Sequence, residues 1–233
     1  MNVPSPPVVE RPVFFLDYDG TLAPIVLEAM RAFPHPGLPP VLAALAQHHP
    51  TWIVTGRDLG TLGKLLPVNL PAVGLHGVEW GTVGSAKEVR IAEQDRLAIL
   101  AMRERVPTLP GVWVEDKGAL FAVHFRGAED PDAVAQALTA WVKAAPECLE
   151  VVWGKLVVEF RPRGVSKGTV VEELLARYPE REPVCLGDDV TDEDAFRALG
   201  TRGVSIKVGA GSTDAPYRLD GVEDVLEYLS RYL

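Results

Sequence analysis

Along the chain, short and mostly apolar runs alternate with longer stretches in which apolar residues return every three or four positions. Val13–Leu16, Thr51–Val54, Ala72–Gly74, Val184–Leu186 and Val204–Val208 lack the in–out alternation of a half-exposed strand and fit strands buried on both faces. Between them, Pro39–Gln47, Leu59–Leu65, Lys167–Arg177, Asp192–Leu199 and Val222–Tyr232 carry the helical period. Strand and helix in turn predict a parallel sheet joined by right-handed crossovers, which is a doubly wound α/β core.

The middle of the chain has a different rhythm. Val112–Glu115 and Ala119–Phe125 flank the turn-forming Asp116-Lys117-Gly118, Pro131–Ala144 reads as a helix, and Glu150–Trp153 with Leu156–Phe160 flank Gly154-Lys155. Hairpin, helix and hairpin make a small α+β unit with an antiparallel sheet. The pattern predicts an inserted domain at 108–163, within a core built from 1–107 and 164–233.

Composition narrows the function classes. With 233 residues, 47% of them hydrophobic, the chain has room for one large core or a core plus a small second domain. A net charge of −9 argues against nucleic acid as a partner, because a phosphate backbone is gripped mainly by clustered Lys and Arg. Cys148 and Cys185 stand far apart with no CxxC spacing, which predicts neither a zinc site nor a disulfide framework and points to a reducing compartment. The proline-rich start, MNVPSPPVVERP, lacks a basic segment followed by a long apolar one, so neither a signal peptide nor a membrane anchor is expected and the predicted location is cytoplasmic.

The candidate chemistry begins at Val13–Leu22, VFFLDYDGTL, where an apolar strand runs into two aspartates one residue apart. In an open α/β sheet, ligands gather outside the carboxyl ends of the strands, where Asp17 falls. If the backbone stays extended, Asp17 and Asp19 project to the same side. Two such charges ~4 Å apart repel by ~4 kcal/mol at an effective dielectric near 20, so a proton or a cation must offset them. Asp-Gly is ordinary turn chemistry, but that accounts for Asp19 and leaves Asp17 without a reason.

Three further stretches fall at comparable places. Thr55-Gly56-Arg57 ends a strand with a hydroxyl, an open backbone N–H and a guanidinium, the parts of a phosphate cradle. Lys167, just after the N-cap Ser166, puts a cation where the helix dipole disfavours it, which is tolerable facing an anion. Asp188 follows the glycine after Val184–Leu186 and shares the sheet edge with Asp17, whereas Asp192, Glu193 and Asp194 read as ordinary first-turn capping. Gly209-Ala210-Gly211 lacks the spacing of a dinucleotide-binding loop.

Taken in order, DxDGT, a hydroxyl residue after the second strand, a lysine and GDD resemble the signature of the haloacid dehalogenase-like phosphotransferases. The resemblance implies Asp17 as nucleophile, Asp19 as general acid and base, and Mg²⁺ held by the Asp17 carboxylate, the Asp19 carbonyl and Asp188, with Asp192 in the outer shell. It further implies that Thr55, Gly56 and Arg57 hold the phosphate, with Lys167 neutralising it.

In the inserted segment, Glu115, Lys117, His124, Arg126, Lys155, Glu159 and Arg161 form a recurring polar set. By period two, Lys155, Val157 and Glu159 share a face, with Leu156, Val158 and Phe160 on the other. A polar sheet face suits a hydroxyl-rich sugar; a solvated face would look the same. The stretches GLHGVE (Gly74–Glu79), VEDKGALFAVHFR (Val114–Arg126), GKLVVEFRP (Gly154–Pro162) and GDDVTDEDAF (Gly187–Phe196) are similar to motifs of the trehalose-6-phosphate phosphatases over nearly the whole chain. That narrower resemblance implies hydrolysis of trehalose 6-phosphate to trehalose and phosphate, with Glu79, Glu115, Lys117, His124, Arg126, Lys155 and Glu159 at or near the sugar-phosphate site. Thr55 replaces a common Ser and Phe125 a common Tyr. No synthase domain is expected in the chain, so any functional pairing with a trehalose-6-phosphate synthase would be between separate proteins. The alternatives are a phosphatase for another sugar phosphate or for a mannosyl or glucosyl phosphoglycerate, and a sugar-phosphate sensor without catalysis.

Overall fold

The structure is a computed structural model that describes residues 5–26, 28–154 and 156–233. In chain order, β1 (Pro12–Leu16), α1 (Leu38–His48), β2 (Thr51–Val54), α2 (Leu59–Leu65), β3 (Pro71–Gly74), β4 (Glu79–Thr82) and β5 (Ser85–Val89) open the chain. There follow α3 (Glu93–Glu104), β6 (Trp113–Asp116), β7 (Phe121–His124), α4 (Pro131–Val142), β8 (Leu149–Gly154) and β9 (Val157–Pro162). The chain ends with α5 (Lys167–Arg177), β10 (Glu182–Gly187), α6 (Val190–Leu199), β11 (Val204–Val208), β12 (Tyr217–Leu219) and α7 (Val222–Ser230).

These elements form two compact units, one from the segments ending at Val89 and beginning at Ser166, the other from Arg90–Val165. The first is a doubly wound α/β core. Its eight-stranded sheet runs β12-β11-β10-β1-β2-β3-β4-β5, parallel from β12 to β3 and antiparallel at β4 and β5. Alternate residues of β1 leave opposite faces: Phe14 and Leu16 pack with Leu42 of α1, Leu62 of α2 and Tyr228 of α7, while Val13 and Phe15 pack with Val171 of α5 and Phe196 of α6. Burial on both faces explains the unbroken apolar run. Because β2 lies on one side of β1 and β10 on the other, the strand order switches direction at β1, where doubly wound sheets open a crevice for ligands.

The second unit is an antiparallel sheet, β6-β7-β9-β8, with α3 and α4. Phe121 and Phe160 stack against each other on one face of this sheet, and Trp141 of α4 packs on both. The unit starts at Arg90 rather than 108, taking in α3. That helix buries only Ile99 and Met102 and ties Arg103 to Asp116 by an ion pair within the unit.

Candidate active site

Asp17 is the first residue after β1 and is 5% exposed, its backbone N–H bonded to the Leu186 carbonyl of the neighbouring strand. Its Oδ1 receives the Lys167 ammonium at 2.5 Å and its Oδ2 the Thr21 hydroxyl at 3.2 Å. Lys167 opens α5, 150 positions further along, and is equally buried. The same ammonium donates to Asp192 Oδ1 at 2.8 Å. Burial pushes the Asp17 carboxyl well above the usual range, with Lys167 pulling it down and Asp192 and Asp188 adding to the rise. Burial works against a charged Lys167, but Asp17 and Asp192 outweigh it and hold the ammonium protonated.

Asp188 and Asp192 complete an acidic cluster. One carboxylate oxygen from each of Asp17, Asp188 and Asp192 lies within 4.8 Å of the others. Two glycines make the cluster sterically feasible. A Cβ on Gly20, which adopts φ +77°, would sit 2.0 Å from Asp188 Oδ2, and one on Gly187 would sit 2.1 Å from Asp192 Cγ. Burial, then the nearby Asp192, pushes Asp188 up to about 7. Asp192 is no simple cap: besides Lys167 it accepts the N–H groups of Asp188 and Asp189 on Oδ2, both at 3.1 Å, and is 2% exposed. Its oxygens are thus committed to shaping the loop, and the less encumbered carboxylates beside it belong to Asp17 and Asp188. Hard oxygen donors converging in this way fit a cation such as Mg²⁺, which takes few carboxylates.

Asp19 has its own counter-ion. Strand β1 stops at Leu16, and the Tyr18 carbonyl accepts N–H groups from Thr21, Leu22 and Ala23, so the extended run assumed for a period-two relation between Asp17 and Asp19 ends early. Arg57 binds both Asp19 oxygens at 2.6 Å and also donates to the Ala29 carbonyl at 2.9 Å. The repulsion anticipated between the two aspartates is therefore met by two separate cations, Lys167 and Arg57.

Thr55-Gly56-Arg57 follows β2 on the strand end next to β1. The Thr55 hydroxyl accepts the Arg57 N–H at 3.2 Å. A neighbouring turn, Leu75–Gly77, braces the loop: Leu75 N–H bonds to Arg57 O at 3.0 Å and His76 N–H to Thr55 O at 3.1 Å. Leu75 and His76 adopt φ +49° and +56°, a strained region for residues other than glycine. A Cβ on Gly56 would come within 2.7 Å of the His76 ring, so the glycine is needed for this packing. Glu79 of β4 accepts the Leu59 N–H at 2.7 Å and supports the start of α2.

In the second unit, strand pairing puts Trp113, Glu115, His124 and Glu159 on one face, opposite the apolar one. His124 Nε2 bonds Glu115 Oε2 at 2.9 Å, and its Nδ1 meets Arg126 Nη2 at 3.3 Å. Arginine only donates, so Nδ1 accepts and Nε2 carries the proton given to Glu115. The His124 bond, assisted by Lys117, draws Glu115 below the ordinary carboxylate range against the effect of burial. Lys117 Nζ lies 2.9 Å from Glu159 and 3.9 Å from Glu115. Lys155 lies outside the described residues.

Sequence reasoning missed Thr21, His76, Trp113 and Lys207. Lys207 is 5% exposed on β11 and donates to the Asp188 carbonyl, and a lysine inside an apolar strand was the available signal. Thr21 stood within the DGT motif, but its bond to Asp17 depends on the turn.

The fold is that of the haloacid dehalogenase-like phosphatases. A Bacteroides thetaiotaomicron phosphatase of the haloalkanoate enzyme superfamily aligns with a TM-score of 0.66 over 95% of each chain, at 17% identity. Within that class, residues 15–223 match the trehalose-phosphatase family model, and the chain belongs to that family. It is 32% identical to the trehalose-6-phosphate phosphatase of Escherichia coli K12 over 97% of this chain and 88% of that one. To the trehalose-phosphate phosphatase of Mycobacterium marinum it is 36% identical over 96% of this chain, which spans 62% of the length of that protein. The C-terminal domain of Candida albicans trehalose-6-phosphate phosphatase superposes with a TM-score of 0.78 at 29% identity, covering 95% of this chain and 91% of that one.

Proposed function

We propose that the protein is a Mg²⁺-dependent phosphatase that hydrolyses trehalose 6-phosphate to trehalose and phosphate through a phosphorylated Asp17. The observation that supports this most strongly is Lys167 bridging the buried Asp17 and Asp192 beside Asp188, at the switch point of the sheet.

Asp17 and Asp188, with the Asp19 carbonyl, would hold Mg²⁺, and Asp192 would stand behind them. When bound, the ion screens negative charge so that an anionic nucleophile and a phosphate ester tolerate each other. Asp17 Oδ attacks phosphorus as the bond to the sugar oxygen breaks, and Asp19 gives that oxygen its proton. Asp19 then takes a proton from the water that attacks the phosphoryl group, releasing phosphate and restoring Asp17. Arg57 bonds to both Asp19 oxygens and so favours the ionised carboxylate, and loosening one of those bonds would ease the proton transfer. A phosphate oxygen near Thr55 and Gly56 is a natural competitor for that guanidinium.

The second unit reads the sugar. Glu115, Lys117, His124, Arg126 and Glu159 present donors and acceptors on one sheet face, the chemistry that recognises hydroxyl groups, and Lys155 is proposed to join them. Among the described residues no helix is long and apolar enough to cross a membrane, and both cysteines are free. We propose a cytoplasmic location and a functional pairing with a trehalose-6-phosphate synthase. Phosphate release should be measured from trehalose 6-phosphate, glucose 6-phosphate, sucrose 6-phosphate and mannosyl phosphoglycerate with Mg²⁺. Preference for the first supports the reading; preference for another replaces the substrate, and binding without turnover replaces the enzyme with a sensor.

A further inference from the structure

Trp113 occupies the edge strand β6, and strand pairing sets it directly across from His124. The two rings stack, with centroids 4.1 Å apart and planes 13° from parallel. Although His124 stacks on one side, Trp113 is still 49% exposed. A single exposed aromatic is ordinary on a protein surface; what sets this one apart is that it is stacked on a buried histidine and shares its face with Glu115 and Glu159.

The ring is also held in place. His124 is fixed by Glu115 at Nε2 and by Arg126 at Nδ1, and Trp113 lies flat on that fixed imidazole. An indole face carries the negative lobe of its quadrupole, while one side of a pyranose ring presents C–H groups with partial positive charge. A flat apolar platform edged by carboxylates and ammonium groups matches a sugar, which has an apolar ring face and a polar rim. A solvated sheet face would need the charges but not the tryptophan.

We propose that Trp113 is a sugar-stacking platform, a specificity-determining residue that takes the C–H face of one glucose ring while Glu115, Lys117 and Glu159 take hydroxyl groups. This rests on the reading of the polar face as the surface that recognises the sugar. Trp113 plays no part in the phosphoryl chemistry and governs the discrimination of disaccharide esters from small ones.

The test compares wild type with Trp113→Ala and Trp113→Phe on trehalose 6-phosphate and on p-nitrophenyl phosphate, with indole emission recorded during titration by trehalose. The Ala variant should raise KM for trehalose 6-phosphate ~3- to 10-fold and leave the aryl ester unaffected, with Phe recovering part of the loss. Trehalose should change the emission of wild type and not of either variant. A wild type that prefers trehalose 6-phosphate while Trp113→Ala matches it, or loses equally on both esters, overturns the platform alone. A wild type that hydrolyses the aryl ester but neither turns over trehalose 6-phosphate nor responds to trehalose overturns the substrate reading, and the platform with it.

Discussion

Lys167 Nζ lies 2.5 Å from Asp17 Oδ1 across 150 residues of sequence, and each is almost wholly withdrawn from solvent. Removing one partner of such a buried pair strands the other charge. With Lys167→Met, Asp17 and Asp192 both lose their cation, and metal-free stability should fall by about 3–5 kcal/mol in denaturant titration. Asp192→Asn added to that variant should recover part of the loss. A variant as stable as wild type would show that the pair contributes little.

Asp188 gives a pH dependence of determinate sign. Its folded-state carboxyl titrates at about 7 against an ordinary value of 3.8. Between those values the unfolded chain has released this proton while the folded one keeps it, so the contribution to stability declines as pH rises from about 4 to about 7. The metal-free melting temperature should reflect that decline, and Asp188→Asn should make it shallower, with Asp17, also raised by burial, contributing the remainder in the same direction. Saturating Mg²⁺ should stabilise the protein more at pH 8 than at pH 5.5, because binding requires the ionised carboxylate. An equal Mg²⁺ effect at both pH values would remove Asp188 from the metal site.

Gly20→Ala combines two faults. Alanine at φ +77° costs about 1–2 kcal/mol, and its Cβ would fall 2.0 Å from Asp188 Oδ2. Calorimetry should find weaker Mg²⁺ binding together with lower stability. Loss of stability with unchanged Mg²⁺ affinity would show that Asp188 does not bind the ion.

Glu159→Ala separates sugar recognition from phosphoryl chemistry. The side chain is paired with Lys117 at 2.9 Å on the polar face of the second unit. Its loss should reduce kcat/KM for trehalose 6-phosphate about 10- to 100-fold, the worth of a charged hydrogen bond, with p-nitrophenyl phosphate little affected. Equal losses on both would make Glu159 structural.

The sequence revealed the elements whose physics is local. Strand β1 and the Thr51–Val54 strand show as apolar runs because both faces are covered, and α5 starts at Lys167 behind a recognisable Ser166 cap. The β4–β5 hairpin escaped notice because β5, Ser85–Val89, is exposed throughout and owes its shape to pairing with β4 rather than to an apolar pattern. Helix α3 was missed for a related reason, since two buried residues make too thin a stripe to read. At the site, residue types were legible and their partners were not. Asp192 looks like any first-turn carboxylate until its burial is known, and the Arg57–Asp19 fork joins residues 38 positions apart. Trp113 was hidden because nothing in the local pattern says which face of β6 is the polar one.

Asp17→Asn should abolish turnover, by on the order of 10³-fold or more, while leaving a folded protein. The direct measurement is rapid acid quenching of wild-type enzyme turning over trehalose 6-phosphate labelled in its phosphoryl group, followed by mapping of the label. The expected result is a transient phosphoryl group on the peptide containing Asp17, dependent on Mg²⁺ and absent from Asp17→Asn. Label on another residue, or an Asp17→Asn enzyme that still turns over, would contradict it.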